Sequence, residues 1–190
     1  MRRKDWPRAA GSAAACRFLH RVSRFSRRQI TLDPFYALAA AVLIFDQASK
    51  AAARVLLAKD RVIEALPGFF SLRLVENAGA AFGLFESWRW VIVAAGVLTA
   101  VIILKIRKVF GLDALTSAGL GLMLGGSAGN ILDRLIPPHT VTDFLDFFIN
   151  IGGRIYRWPT FNLADVAITA GAGLIVLKIL FHRKTVSEGG

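Results

Sequence analysis

The sequence Gly-Gly-Ser-Ala-Gly-Asn-Ile-Leu-Asp-Arg at residues 125–134 is followed by Val-Thr-Asp-Phe at 141–144 and Phe-Asn-Leu-Ala-Asp at 161–165. Each block carries one acidic residue, Asp133, Asp143 or Asp165, inside or beside sequence apolar enough to lie in a membrane. An ionised carboxylate in such surroundings costs several kcal/mol unless a partner compensates its charge. The three acids therefore indicate chemistry or transport.

The composition of the chain favours a membrane protein. Of its 190 residues 55% are hydrophobic and 19% are charged, whereas a soluble domain is about one quarter charged. The net charge of +11 comes largely from residues 1–30, which carry nine Lys and Arg against Asp5. The rest of the chain is nearly balanced, so we expect no nucleic-acid partner.

Cysteine and histidine content argues against metal and disulfide chemistry. Cys16 is the single cysteine of the chain, so an intrachain disulfide and a Cys-rich metal site are excluded. The three histidines, His20, His139 and His182, form no pair at helical spacing, which disfavours zinc. We expect neither a metal nor another cofactor.

Four apolar stretches, at about 35–57, 88–104, 114–132 and 160–181, are each near the roughly 20 residues that cross a bilayer. They predict an all-α membrane protein with four transmembrane helices. Strand-like composition at 69–75 predicts a small extracytoplasmic β element, and residues 139–159 are expected to form an interfacial loop or helix. The domain would span 35–181, between a disordered basic tail at 1–34 and a short tail at 182–190.

The distribution of Lys and Arg predicts the orientation of this domain. Residues 1–34, 105–113 and 182–190 hold 14 Lys and Arg in 52 residues, whereas residues 58–89 and 133–159 hold 7 in 59. The positive-inside rule then puts both termini in the cytosol. Asp133, Asp143 and Asp165 would meet near the outer membrane surface.

Two carboxylates close together in a poorly solvated site share one proton and supply an acid and a base at once. Such a pair can activate a water for attack on a peptide carbonyl. A serine mechanism is disfavoured because His139 alone among the histidines lies near the acids. The residues do not decide which acids form the pair: Arg134 gives Asp133 an ionic partner, and Asp146 could be a solvated loop charge.

Two further polar groups have both a structural and a functional interpretation. Asp46 and Lys50 stand at i and i+4, so they share a helix face and can neutralise each other. Asn77 lies among small residues, where it fits a turn, but its amide could also donate to a carboxylate or a substrate carbonyl.

Five sequence blocks in order carry a resemblance to a known family. They are Asp46-Gln47-x-Ser49-Lys50, Asn77-x-Gly79-x-Ala81-Phe82, Gly125-Gly126-x-x-Gly129-Asn130-x-x-Asp133-Arg134, Val141-x-Asp143-Phe144 and Phe161-Asn162-x-Ala164-Asp165. Together they resemble the successive motifs of lipoprotein signal peptidase, also called signal peptidase II. The resemblance covers about residues 34–181.

The resemblance implies an aspartic endopeptidase of the bacterial inner membrane, in contact with membrane lipids. We expect a monomer. It implies that diacylated prolipoproteins are the substrates and that cleavage falls before the cysteine carrying the diacylglyceryl group. Asp143 and Asp165 would be catalytic. The supporting and substrate-binding residues would be Asp46, Lys50, Asn77, Gly79, Asn130, Asp133, Arg134, Asn162 and Ala164.

The sequence leaves two other classes open and departs from the family at two places. A small proton-coupled transporter could also bury carboxylates, and a membrane scaffold would explain the glycine-rich faces but not the acids. Residues 137–140, Pro-Pro-His-Thr, replace a region that is often richer in glycine and histidine, and the basic tail lies outside the resemblance. We expect the tail to set topology near anionic lipid.

Overall fold

The computed structural model of the chain describes residues 33–57, 61–79, 88–110 and 112–187, the last six of these by their backbone only. The expectations for the basic tail at 1–32 and for Cys16 lie outside the described residues. So do those for Ala81, Phe82 and the end of the chain at 188–190.

Four α-helices cover the four apolar stretches: α1 (Pro34–Leu56), α2 (Arg89–Val109), α3 (Ala114–Leu135) and α4 (Leu163–Ser187). Aspartates start two of them. Asp33 precedes Pro34, and its side chain accepts a hydrogen bond from the backbone N–H of Phe35. The Asp113 side chain accepts hydrogen bonds from the backbone N–H groups of Leu115 and Thr116. Such caps satisfy N–H groups that have no partner within the helix.

Four strands form one antiparallel sheet in the order β1-β2-β3-β4: β1 (Val62–Leu66), β2 (Phe70–Asn77), β3 (Val141–Ile151) and β4 (Arg154–Arg157). Gly152 and Gly153 join β3 to β4 with φ of 59° and 82°. Glycine adopts this left-handed backbone without steric cost, so these residues close the hairpin.

The expected all-α fold with four transmembrane helices is wrong in two respects. First, residues 141–157 are strands of a four-stranded sheet and not an interfacial loop or helix. Their β-branched and aromatic residues and the glycine turn favour a hairpin. Second, among the described residues two helical segments are long and apolar enough to cross a membrane, Arg89–Val109 and Leu163–Phe181. In α1 the charges of Asp46, Lys50 and Arg54 lower the hydropathy, and in α3 the glycines and Asn130 do so.

Helix α3 packs between the other helices, and glycine lets their backbones approach. A Cβ on Gly125 would meet Ala39 O of α1, and one on Gly126 would meet Ala164 O of α4, each at 2.5 Å. Such small residues allow close helix packing. The end of α3 is thereby brought next to the start of α4.

Two apolar clusters fix the remaining elements. Phe35, Ile103 and Leu120 join α1, α2 and α3. At the other end of α1, Ala53 and Leu57 pack with Phe144 of β3. The second cluster holds the first residues of β3 close to the polar ends of α3 and α4.

Candidate active site

A cavity of about 670 Å³ lies where β2 and β3 meet the end of α3 and the start of α4. Its lining includes Asp143 and Asp165, two of the three acids carried by the sequence blocks at 125–134, 141–144 and 161–165. It also includes Asn77, Asn130 and Arg134. Residues from four separate elements therefore converge on one concave, polar site.

Asp143 lies on β3, is 3% exposed and is held by two amide donors. Asn77 Nδ2 donates to its Oδ2 at 3.0 Å, and Asn162 Nδ2 donates to its Oδ1 at 2.7 Å. Burial, aided by the nearby charge of Asp165, raises the pKa of Asp143 to about 6 against the opposing effect of the two hydrogen bonds. A carboxyl with this pKa exchanges its proton in the neutral range.

Asp165 belongs to the N-terminal cap of α4. Asp165 N donates to Asn162 Oδ1 at 3.1 Å, and Asn162 N donates to Asp165 Oδ2 at 3.2 Å. This reciprocal pair is a capping box with Asn162 as the cap residue. The cap fixes the Asp165 carboxylate relative to the helix axis and leaves the Asn162 amide free to reach Asp143.

Asn130 of α3 completes the ring of amides. Its Nδ2 donates to Asp165 Oδ1 at 2.8 Å. Its Oδ1 accepts from Lys50 Nζ at 3.0 Å and from Asn162 Nδ2 at 3.2 Å. Since both neighbours of this oxygen are donors, the amide has one orientation, with its N–H groups toward Asp165.

Lys50 is fully buried and bonds to three side chains at once. Its Nζ lies 2.8 Å from Asp46 Oδ2 and 2.7 Å from Asp133 Oδ2, in addition to Asn130. Asp46 Oδ1 in turn accepts from Ala164 N at 2.9 Å, immediately before Asp165. Two hydrogen bonds, to Asp46 and Asn130, and an ion pair with Asp133 therefore surround this buried ammonium.

Arg134 connects α3 to the turn after β2. Its Nη2 donates to Gly79 O at 2.6 Å, and its Nη1 donates to Asn130 O at 2.9 Å. The ionic partners of Asp133 among the described residues are Lys50 and Arg54, the latter at 3.8 Å, and not the expected Arg134. Sequence neighbours in a helix point away from each other, which explains the difference.

The structure brings all eleven site residues expected from the sequence into this region. Asn77 fulfils both of its interpretations, because its Oδ1 accepts from Gly79 N in a turn while its Nδ2 reaches Asp143. The expectation of a solvated Asp146 is wrong: its side chain is 0% exposed, because β3 places it between Ser71 and Arg157.

Several residues of the site were not among the eleven expected from the sequence, including Gln47, Arg73 and Trp158. Gln47 Nε2 donates to Asp133 Oδ1 at 3.0 Å, and its position beside Asp46 in the first sequence block was an available signal. Arg73 and Trp158 line the cavity from β2 and from the end of β4. They had no sequence signal, since the strand pairing that brings them there was not predicted.

Comparisons with known proteins identify the relatives of this chain. The family model described as signal peptidase (SPase) II matches residues 38–181. A lipoprotein signal peptidase of Paraburkholderia phytofirmans is 42% identical over 79% of this chain and 86% of its own length. A lipoprotein signal peptidase of Burkholderia mallei is 41% identical over 76% of this chain and 86% of its own length.

Solved structures give the same result at the level of the fold. Two structures described as bacterial membrane enzymes superpose with TM-scores of 0.72 and 0.68, at 25% and 26% identity. They cover 84% and 79% of this chain and 93% and 94% of their own chains. With four fifths of the chain matched in sequence and in fold, the chain belongs to the signal peptidase II family.

Proposed function

We propose that Asp143 and Asp165 are the catalytic pair with which this signal peptidase II removes the signal peptide from prolipoproteins. The observation that carries the proposal is the Asn162 side chain, which bonds to both carboxyl-bearing residues at the wall of one cavity. Signal peptide removal is the activity of the family, and no observation favours the proton-coupled transporter considered from the sequence.

The proposed reaction uses one proton and one water held between the two carboxyl groups. One carboxylate takes a proton from the water as the water oxygen attacks the scissile carbonyl carbon. The other, protonated carboxyl gives its proton to the carbonyl oxygen. When the tetrahedral intermediate collapses, the first carboxyl passes the water proton to the leaving amine, and the second recovers its proton from a hydroxyl of the intermediate. The raised pKa of Asp143, about 6, allows it to hold the shared proton.

The surrounding amides would hold the two carboxyl groups in a fixed relative orientation. Asn77, Asn130 and Asn162 direct N–H groups at the carboxylates, so each carboxylate retains lone pairs for the proton and the water. Lys50 would not contact the carboxyl pair directly but would orient the Asn130 amide, to which it donates a hydrogen bond. Arg134 would hold the Gly79 turn at the cavity wall.

The remaining supporting residues connect the pair to the helices. Asp46 would anchor the start of α4 through Ala164 N, and Asp133 would balance the charge of Lys50. We infer that the substrate peptide binds in the cavity, with the scissile bond beside Asp143 and Asp165. The diacylglyceryl cysteine then lies on the carboxyl side of that bond, with its acyl chains in the bilayer.

The charge of the helix ends supports an inner-membrane orientation. Lys105, Arg107 and Lys108 close α2, and Lys178 lies toward the end of α4. By the positive-inside rule these ends face the cytosol, which puts the cavity at the opposite, outer surface. A monomer is sufficient, because every group of the proposed mechanism comes from one chain.

Replacement of either acid tests the proposal. We expect Asp143→Asn and Asp165→Asn to lower cleavage of a diacylated prolipoprotein by about 10³-fold or more, since each removes an essential acid or base. Because ionisation of buried Asp143 is costly, Asp143→Asn should unfold at the wild-type temperature or above at pH 7. Near wild-type cleavage by either folded variant would refute the assignment.

A further inference from the structure

A second charged cluster lies on the sheet, centred on Asp146 of β3. The fully buried carboxylate accepts a hydrogen bond from Ser71 Oγ at 2.8 Å and one from Arg157 Nη1, both on Oδ2. Arg73 Nε lies 3.7 Å from the same oxygen. One carboxylate therefore faces two guanidinium groups, and the cluster retains one net positive charge.

Both guanidinium groups are oriented and remain accessible. The Arg73 and Arg157 side chains are each 40% exposed. The Arg157 guanidinium stands 4.9 Å over the Phe148 ring, and Arg73 Nη2 also donates to Thr160 Oγ1 at 3.4 Å. Each guanidinium has five N–H donors, so several remain for an anion with phosphate geometry.

The adjoining end of the β3–β4 hairpin is an exposed apolar surface among the described residues. Every residue from 149 to 158 is exposed. Five of these ten are large and apolar or aromatic, with exposures of 50% to 64%: Ile149, Ile151, Ile155, Tyr156 and Trp158. An exposed apolar patch of this kind marks an interaction surface. Tyr and Trp are the residues that prefer the membrane interface.

Position and charge identify the bilayer surface as the partner. Five residues separate the end of β4 at Arg157 from Leu163, where the apolar helix α4 begins. Residues 144–158 contain two arginines and one acid, and this acid is the buried Asp146. By strand alternation Ile155 shares the face of Arg157, whereas Ile149, Ile151 and Tyr156 share the face of Arg154, so the hairpin end is apolar on both faces. An acidic peptide would satisfy the arginines alone, whereas an anionic bilayer surface accommodates a hairpin end that is apolar on both faces and lies beside two arginines.

We propose that Arg73 and Arg157, held together by Asp146, bind the phosphate headgroup of an anionic phospholipid at the outer membrane surface. The site rests on the proposed membrane orientation and is separate from the Asp143 and Asp165 pair, although Arg73 also lines the cavity. Bound lipid would hold the sheet at a fixed distance from the membrane surface. The cavity wall at Arg73 would be held with it.

Native mass spectrometry of the full chain with an equimolar mixture of phosphatidylglycerol and phosphatidylethanolamine tests this site. The wild-type protein should retain phosphatidylglycerol preferentially, and Arg73→Gln and Arg157→Gln should each lower the preference about fivefold. Arg154→Gln is the matched control, because Arg154 has the same charge but lies three residues from Arg157 in β4, on the opposite face.

Asp146→Asn separates a built site from diffuse attraction. The substitution adds positive charge to the surface, so diffuse attraction predicts more retained phosphatidylglycerol, whereas loss of the anchor for both arginines predicts less. The proposal fails if retention rises in this variant, if the wild type shows no preference, or if Arg154→Gln loses as much as Arg157→Gln.

Cleavage of diacylated prolipoprotein by the same preparations distinguishes failure of this site from failure of the proposed function. Cleavage by the wild type without lipid preference would refute the lipid site alone. Absence of cleavage would refute the proposed function. If the arginine variants raise KM for substrates with acidic residues and retain phosphatidylglycerol normally, the cluster binds peptide instead.

Discussion

At the scale of single residues, the charge state of Asp143 depends on a balance between burial and hydrogen bonding. Burial and the Asp165 charge raise its pKa, whereas the Asn77 and Asn162 donors lower it. In the folded protein Asp143 thus keeps its proton above the pH at which the unfolded chain loses it. The associated stability is present at low pH and is lost as the pH rises through about 6.

Asn77→Leu should change the pH dependence of cleavage in a defined direction. Loss of the Asn77 hydrogen bond raises the pKa of Asp143, so the shared proton is retained to higher pH. We expect the alkaline limb of the kcat/KM profile to move upward in pH. Thr99→Val, which removes a hydroxyl that donates to Ala95 O in α2, serves as the control and should leave the limb in place. A shift to lower pH would contradict this account.

At the scale of elements, α3 owes its position to glycines at its contacts with α1 and α4. A side chain at Gly129 would overlap the Asp46 carboxylate, which bonds to Lys50 and to Ala164 N. The glycine therefore provides room for a buried charged group as well as close backbone packing. Loss of one partner from a buried pair costs about 3 to 5 kcal/mol.

Gly129→Ala should accordingly destabilise the protein and lower cleavage. The added methyl group displaces Asp46, which frees the start of α4 beside Asp165. We expect a loss of about 2 kcal/mol or more in unfolding free energy, measured by thermal or denaturant unfolding in detergent. Gly173→Ala in α4 is the matched control, since its Cβ meets nothing within 4 Å, and it should be neutral or slightly stabilising. Equal effects of the two substitutions would contradict the role of Gly129.

At the scale of the whole molecule, the sheet and the cavity lie at one end of the helices, and the basic ends of α2 and α4 are expected at the other. The burial of Phe144 against Ala53 and Leu57 attaches the sheet to α1. In the proposed orientation the sheet stands at the outer membrane surface and the basic helix ends face the cytosol.

Cysteine labelling tests this orientation. In a Cys16→Ser background, we expect a membrane-impermeant maleimide to label Arg154→Cys in intact spheroplasts. Lys108→Cys, at the basic end of α2, should be labelled after permeabilisation only. Both positions are exposed, so accessibility within the protein does not limit either reaction. The reverse labelling pattern would overturn the orientation.

The sequence by itself determined the features that depend on residues close together in the chain. Helical spacing pairs Asp46 with Lys50, and the i and i+3 spacing of Asn162 and Asp165 becomes a capping box. The ordered sequence blocks were sufficient to identify the family.

The tertiary structure alone decided the contacts between distant residues. Asn77 reaches Asp143 across 66 positions, and Lys50 reaches Asn130 across 80. Asp146 is buried because β3 pairs with β2 and β4, and the pairing of β3 with the distant β2 was not apparent in the local pattern. Sheet register and the choice among ionic partners depend on which elements the whole chain packs together, so neighbouring residues could not reveal them.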